Sequence, residues 1–202
     1  MIGRLTATLL TSSFAVLLAA PAQSQDKGKE PQMTAEQKAE MEAYQKAGTP
    51  GPQHQALAAS AGKYSIKSKS WHDASSPAIE DSGTATRSMT LDGRVLVEEV
   101  DCTMMGAPMT GRGMTGYDNV SGRYWSTWTD SISTGLMVSQ GTCDAKHNCS
   151  FKGTWNDAVA KGPKRARMTS RWTSPTTEVW EMHGPGKDGK EFKMMEITYT
   201  KM

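Results

Sequence analysis

Residues 116–130 read GYDNVSGRYWSTWTD, and the way this stretch divides decides the fold. Asp118-Asn119-Val120-Ser121-Gly122 has the composition of a tight turn, and Arg123 to Asp130 is a run of aromatic and hydroxyl side chains suited to a pleated strand. Side chains alternate across a strand, so Tyr124, Ser126, Trp128 and Asp130 share one face, and Trp125, Thr127 and Thr129 share the other. The two tryptophans therefore point in opposite directions and cannot form one aromatic platform for a sugar or a base. The threonine-bearing face reads as a solvated pleat, which turns Tyr124, Ser126, Trp128 and Asp130 inward. That inward face is too polar for a dry core, because each buried hydroxyl or carboxylate must find a partner or water. It suits a wet or ligand-holding cavity.

The same rhythm runs through the rest of the chain from Gly62. Segments rich in Thr, Val, Tyr, Trp and Met alternate with turn signals: SSPAIEDSG, LDGR, MMGAPMTG, DNVSG, DSISTG, DAKHN, KGPK, SPTT and GPGKDGK. About nine or ten strands are expected, all linked by hairpin-sized connections, with no room for the crossover a parallel pair requires. The expected fold is all-β: an antiparallel up-and-down barrel able to enclose a cavity. Met137 and Ser139, Trp180 and Met182, and Glu196 or Tyr199 are the further candidates for its lining. The competing expectation is that Met and Trp fill an irregular core while Asp130 sits in a turn at the rim.

Upstream of the barrel the character differs. Residues 1–22 carry Arg4, an uncharged and largely apolar run from Leu5 to Ala20, and the small-x-small form Ala20-Pro21-Ala22, the pattern of a secretory signal peptide. Residues 23–52 form a polar arm in which Thr34-Ala35-Glu36-Gln37 has the form of a capping box ahead of a short surface helix. QALAAS adds one or two helical turns before Gly62. The barrel domain is expected over 53–202. Export to the periplasm or the cell exterior follows from the signal, and no segment has the roughly 20 apolar residues of a spanning helix. Of 23 basic and 21 acidic residues, the signal removes only Arg4. The remainder is close to neutral, which gives no reason to expect nucleic acid as a partner.

Cys143 and Cys149 flank the turn DAKHN, and in an oxidising compartment they either close across a hairpin or remain unpaired thiols. Cys102 reads as a small buried hydrophobe with no base assigned to it. His54, His72, His147 and His183 lack ligand spacing, and no HExxH or CxxC occurs, so neither a metal nor another cofactor is expected. The four methionines of MMGAPMTGRGM, Met104, Met105, Met109 and Met114, are the one soft-ligand grouping worth weighing for Cu(I). Glu98 and Glu99, adjacent in a strand, face opposite ways and read as strand decoration. The basic run KGPKRARMTSR reads as a turn entering a strand with outward arginines.

GPQHQAL followed by GKY, then SGTATRSMTLDGRVL, MMGAPMTGRGMTGYDN, STWTDSISTGLMVSQGT and GPGKDGKEFKMMEITYT together resemble the domain-of-unknown-function family numbered 1579. The resemblance runs from about Gly51 to Tyr199. It implies a small, exported, lipocalin-like (calycin) barrel with no established activity. It also implies that the aromatic of the first strand, here Tyr64 in place of the family's usual Trp, closes the barrel floor against a basic residue of the last strand, Lys201. The functional expectation is binding of a small apolar or amphipathic molecule in the barrel, with no catalytic residue assigned. Two rivals stand beside it: a cavity enzyme using Asp130 or Glu196 as acid or base, and a filled barrel serving as a structural or protein-interaction module. The sequence leaves the oligomeric state open.

Overall fold

The computed structural model describes residues 33–202; the signal peptide expected at 1–22 and the first part of the arm lie outside the described residues. Thr34 caps the first helix, α1 (Ala35–Gly48), with both halves of the capping box formed. Its hydroxyl accepts from the Gln37 N–H at 3.2 Å, and the Gln37 side chain accepts from the Thr34 N–H at 2.9 Å. None of its residues is buried, as its sparse apolar content requires. Only its far end is tied to the barrel: Asn119 Nδ2 donates to the carbonyls of Ala47 (2.9 Å) and Thr49 (2.8 Å), and Arg94 Nε to that of Gly48 (3.0 Å).

The second helix, α2 (Pro52–Ala59), starts at a proline, whose missing N–H costs nothing in the first turn. His54 Nδ1 accepts the Gly51 N–H at 3.0 Å. Its ring is buried and meets Tyr117 edge-on, with centroids 5.9 Å apart.

Ten strands follow: β1 (Gly62–Ser70), β2 (Ile79–Thr90), β3 (Val95–Met104), β4 (Ala107–Asp118), β5 (Arg123–Asp130), β6 (Met137–Cys143), β7 (Cys149–Asp157), β8 (Gly162–Ser174), β9 (Thr177–Pro185) and β10 (Glu191–Lys201). Each pairs antiparallel with the next, and β10 pairs with β1 to close the barrel. Closure removes the exposed edges that an open sheet of this length would carry. Two turn signals are shorter than the sequence suggests. β2 already begins at Ile79, inside SSPAIEDSG, and in MMGAPMTG only Met105 and Gly106 turn. Their N–H groups donate to the Asp81 carboxylate at 2.8 and 3.1 Å, so a side chain from β2 anchors the β3–β4 turn.

Directly paired residues of an antiparallel sheet share a face, so one inward set can be followed around the barrel. Tyr64 and Ile66 on β1 lie opposite Ala85 and Gly83 on β2; Ala85 and Arg87 lie opposite Val100 and Glu98 on β3. Tyr64, Ile66, Ala85, Val100, Met109 and Tyr199 form the buried cluster that holds this half of the barrel. Its floor differs from the expected arrangement. The cation that meets Tyr64 is Arg87 of β2, 4.9 Å from the ring centre, in place of Lys201. Lys201 lies directly across the β1–β10 ladder from Tyr64, and its stem runs beside Gly62, where an added Cβ would stand 2.7 Å from Lys201 Cε.

Candidate functional site

The inner wall has two ends of different character. At one end α2 packs against β2, β3 and β4. It touches inward-facing side chains from well-separated strands: His54 meets Tyr117 of β4, and the Tyr64 hydroxyl of β1 donates to the Ser60 carbonyl at 2.6 Å. We call this the closed end.

β5 supplies the wall that the opening stretch suggested. Tyr124, Ser126 and Trp128 lie opposite Gly141, Ser139 and Met137 of β6, and Trp128 and Asp130 lie opposite Gly113 and Gly111 of β4. All of these positions belong to the inward set. The two glycines are functional to the packing. The Trp128 indole lies where a Cβ on Gly111 would stand, 2.3 Å from its Cζ2, so the ring lies along the wall over the two glycines and packs against the buried cluster. Its Nε1–H donates to Asp130 Oδ2 at 3.0 Å, and Asp130 Oδ1 accepts the Ile132 N–H at 3.2 Å. Both carboxylate oxygens are thereby engaged in holding a ring and a loop. On the outer face Trp125 repeats the device, with its indole against Gly116.

Trp180 and Met182 of β9 lie opposite Ile197 and Met195 of β10, and Tyr199 lies opposite Ile66 of β1 and Glu178 of β9. These too face inward. Glu196, expected as a lining candidate, does not. It pairs with Glu181 and Lys69 on the outer face, where Lys193 Nζ bonds to it and to Glu181 (3.1 Å). The physical reason is parity: Glu196 and Tyr199 are separated by an odd number of positions, so only one can face the lumen.

At the closed end the lumen carries a charged cluster that the sequence reading missed. Arg87 Nη1 donates to Glu178 Oε2 at 2.5 Å, and Arg87 Nε stands 3.5 Å from Glu98 Oε2, within ion-pair range but without hydrogen-bond geometry. The guanidinium carbon lies 4.9 Å from the Tyr64 ring centre and 4.3 Å from that of Tyr199. Burial by itself lowers the pKa of Arg87, but the negative charges of Glu98 and Glu178 outweigh it and the net shift is upward. Burial raises the Tyr199 phenol well above its ordinary range, and the charge of Glu98 pushes in the same direction. Glu98 is thus a lumen residue and Glu99 an outer one, ion-paired with Arg112 at 3.2 Å. The signal was present in the alternation of Ala85, Arg87 and Met89, which places a cation on an otherwise apolar face.

Sulfur is distributed as the pairing dictates. Met104 and Met109 face inward, whereas Met105 in the turn and Met114 on the outer face are exposed, so the four thioethers of the MMGAPMTGRGM hairpin do not converge. Cys102 faces inward beside Gly83, and burial is the main cause that raises its thiol pKa. Among the described residues no group of three or more His, Cys, Asp or Glu side chains is placed to hold a metal ion. Cys143 and Cys149, directly opposite each other on β6 and β7, are joined as a disulfide. Next to it at the closed end lies a solvent-open groove of about 350 Å³, between Pro52 and Ala56 of α2, Tyr117, Tyr124 and His147.

Residues 49–201 match the family described as "Protein of unknown function (DUF1579)". No curated protein matches the chain.

Proposed function

We propose that this chain, which belongs to the DUF1579 family, binds a small apolar or amphipathic molecule inside its barrel. One observation carries the reading. Trp128, Met137, Trp180, Met182 and Ile197 all face inward from a closed sheet, yet each keeps part of its surface accessible. In a filled barrel these side chains would meet across the axis and be buried to the degree typical of protein interiors. The accessible part of their indole and thioether surface is the kind of wall that takes an apolar ligand.

The rival in which Asp130 or Glu196 works as acid or base loses support from the same geometry. Asp130 is committed to Trp128 and Ile132 through both oxygens, and Glu196 faces outward. The reading also includes export: a disulfide between adjacent strands suits an oxidising compartment outside the cytoplasm.

Native mass spectrometry of the protein isolated from its own source, followed by solvent extraction, tests the binding. A defined small molecule retained at one per chain is the expected result. A chain that is empty in repeated preparations, and that leaves the fluorescence of apolar dyes unchanged, would overturn it in favour of a filled structural barrel.

A further inference from the structure

The outer wall of the barrel is unevenly charged. The outward positions of β5, β6, β7 and β8 hold Arg123, Lys152, Arg165, Arg167 and Arg171 and no Asp or Glu, because Asp130 and Asp157 face inward and Asp144 lies in a turn. The barrel's outward carboxylates stand on the strands to either side. Two of them reach back to this wall: Glu191 bonds Arg167 at 2.7 Å, and Glu181 stands 3.7 Å from Arg171. Arg123 lies opposite Asp118 of β4. Lys152 and Arg165 are exposed and make no ion pair among the described residues, so the wall keeps positive charge in excess.

An aromatic ring lies on the same wall. The Trp125 indole covers Gly116 of β4, where a Cβ would stand 2.4 Å from Cζ2 and 2.5 Å from Cε2, so one face of the ring rests on the sheet and the other is turned to solvent. From Trp125 a cross-strand row continues through Gln140, Lys152 and Arg167, each directly opposite the one before it, on β6, β7 and β8. At about 4.8 Å per strand the row is roughly 14 Å long. Thr142, Ser150 and Thr169 form the next row toward the closed end, and with Arg171 they line a solvent-open groove of about 520 Å³.

We propose that this wall is a binding surface for an acidic polysaccharide. A sugar ring stacks on Trp125, the side chains of Gln140, Thr142 and Ser150 hold its hydroxyls, and Lys152, Arg165 and Arg167 meet the carboxylate or sulfate groups. The surface is separate from the lumen and does not depend on a ligand there. Positive charge on strands that carry no outward carboxylate calls for an anionic partner. A single ring followed by an amide and hydroxyls suits a pyranose, whose apolar face stacks while its edge hydrogen-bonds. A nucleic-acid strand would use successive rings for successive bases, whereas Trp128, the other tryptophan of β5, faces inward.

Calorimetric titration at one ionic strength with a uronate oligosaccharide, a sulfated oligosaccharide, a neutral oligosaccharide of the same length and a thymidine oligonucleotide of matching charge tests this. One or both acidic sugars are expected to bind, the neutral sugar about ten-fold more weakly, and affinity should fall as salt is added. The acidic sugar that binds more tightly tells a carboxylate source from a sulfate one. Lys152→Gln should weaken binding about three-fold, the size of one exposed charge contact, and Trp125→Ala about ten-fold. Lys67→Gln, at an exposed outward position of β1, three strands from β8, should leave it unchanged. No binding of either acidic sugar, a neutral sugar that binds as well, an oligonucleotide that binds more tightly, or equal effects of Lys152→Gln and Lys67→Gln would each overturn the assignment. The comparison of the two lysines decides the matter even if Trp125→Ala does not fold, which circular dichroism would reveal.

Discussion

The guanidinium carbon of Arg87 lies 4.3 Å from the centre of the Tyr199 ring, with Glu178 bonded to its Nη1 on the same floor of the barrel. Residues from β2 and β10, far apart in sequence, are thus joined next to the seam at which the barrel closes. A planar, delocalised cation suits this position because it can stack on a ring and hydrogen-bond in its own plane at once.

Removing that cation should be far more damaging than removing either acid. In Arg87→Met the carboxylates of Glu178 and Glu98 stay buried without a counter-charge, the situation that costs about 3–5 kcal/mol for a broken buried pair. Arg87→Lys keeps the charge but loses the planar stack, and should fall between. Urea unfolding followed by circular dichroism reads the difference. Equal midpoints for wild type and Arg87→Met would refute the view that this cluster holds the floor together.

Alkaline pH should unfold the barrel through its buried phenols. Tyr199 is raised well above the ordinary tyrosine value of 10.0, first by burial and then by Glu98; Tyr64 and Tyr124 are raised too, with burial the largest cause in each. A raised folded-state pKa means that the unfolded chain gives up its phenolic proton first. The folded form then binds more protons, so stability is intact below about 10 and falls as pH climbs beyond it. Tyr199→Phe keeps the ring over Arg87 and removes the ionisation, so its alkaline unfolding midpoint should lie higher than that of the wild type. If the two proteins unfold at the same alkaline pH, Tyr199 is not the group responsible.

The Cys143–Cys149 disulfide closes a short loop, with a sequence separation of 6. A loop that small restricts the unfolded chain only modestly, so the chain-entropy argument assigns it about 2 kcal/mol. The turn also has support that does not depend on sulfur: Asp144 Oδ1 accepts the N–H groups of Lys146 and Asn148, both at 2.9 Å. The double variant Cys143→Ser/Cys149→Ser is therefore expected to fold, with a lowered urea midpoint and an unchanged circular dichroism spectrum. Complete loss of the folded signal would mean that the bond does more than tie one hairpin.

Alternation made the barrel and the β5 wall legible, because each of those readings depends on neighbours a few residues apart. Tyr124, Ser126, Trp128 and Asp130 need only a correct parity within one strand. The Arg87 cluster draws on β2, β3 and β9, and nothing local distinguishes an inward Glu98 or Glu178 from a solvated one. Glu196 failed for a different reason. Glu196 and Tyr199 stand on opposite faces of β10, and only the pairing of Ile197 with Trp180 and of Tyr199 with Ile66 decides which of the two faces the lumen.

Gly111 offers the sharpest check that Trp128 lies along the wall. A Cβ on Gly111 would stand 2.3 Å from Trp128 Cζ2 and 2.5 Å from Cη2, so in Gly111→Ala the indole must swing off the β4 surface toward the barrel axis. That movement breaks the Trp128–Asp130 hydrogen bond and places a large ring in the ligand's space. Overpacking of this kind costs about 1–3 kcal/mol. Gly135→Ala, in the β5–β6 loop with nothing nearer than Ser133 Oγ at 3.8 Å, serves as the control and should be nearly neutral. The expected pattern is a lower unfolding midpoint together with weakened dye binding for Gly111→Ala alone. Dye affinity that survives Gly111→Ala unchanged, in a variant whose tryptophan emission has shifted, would mean that the ligand does not use the space beside Trp128.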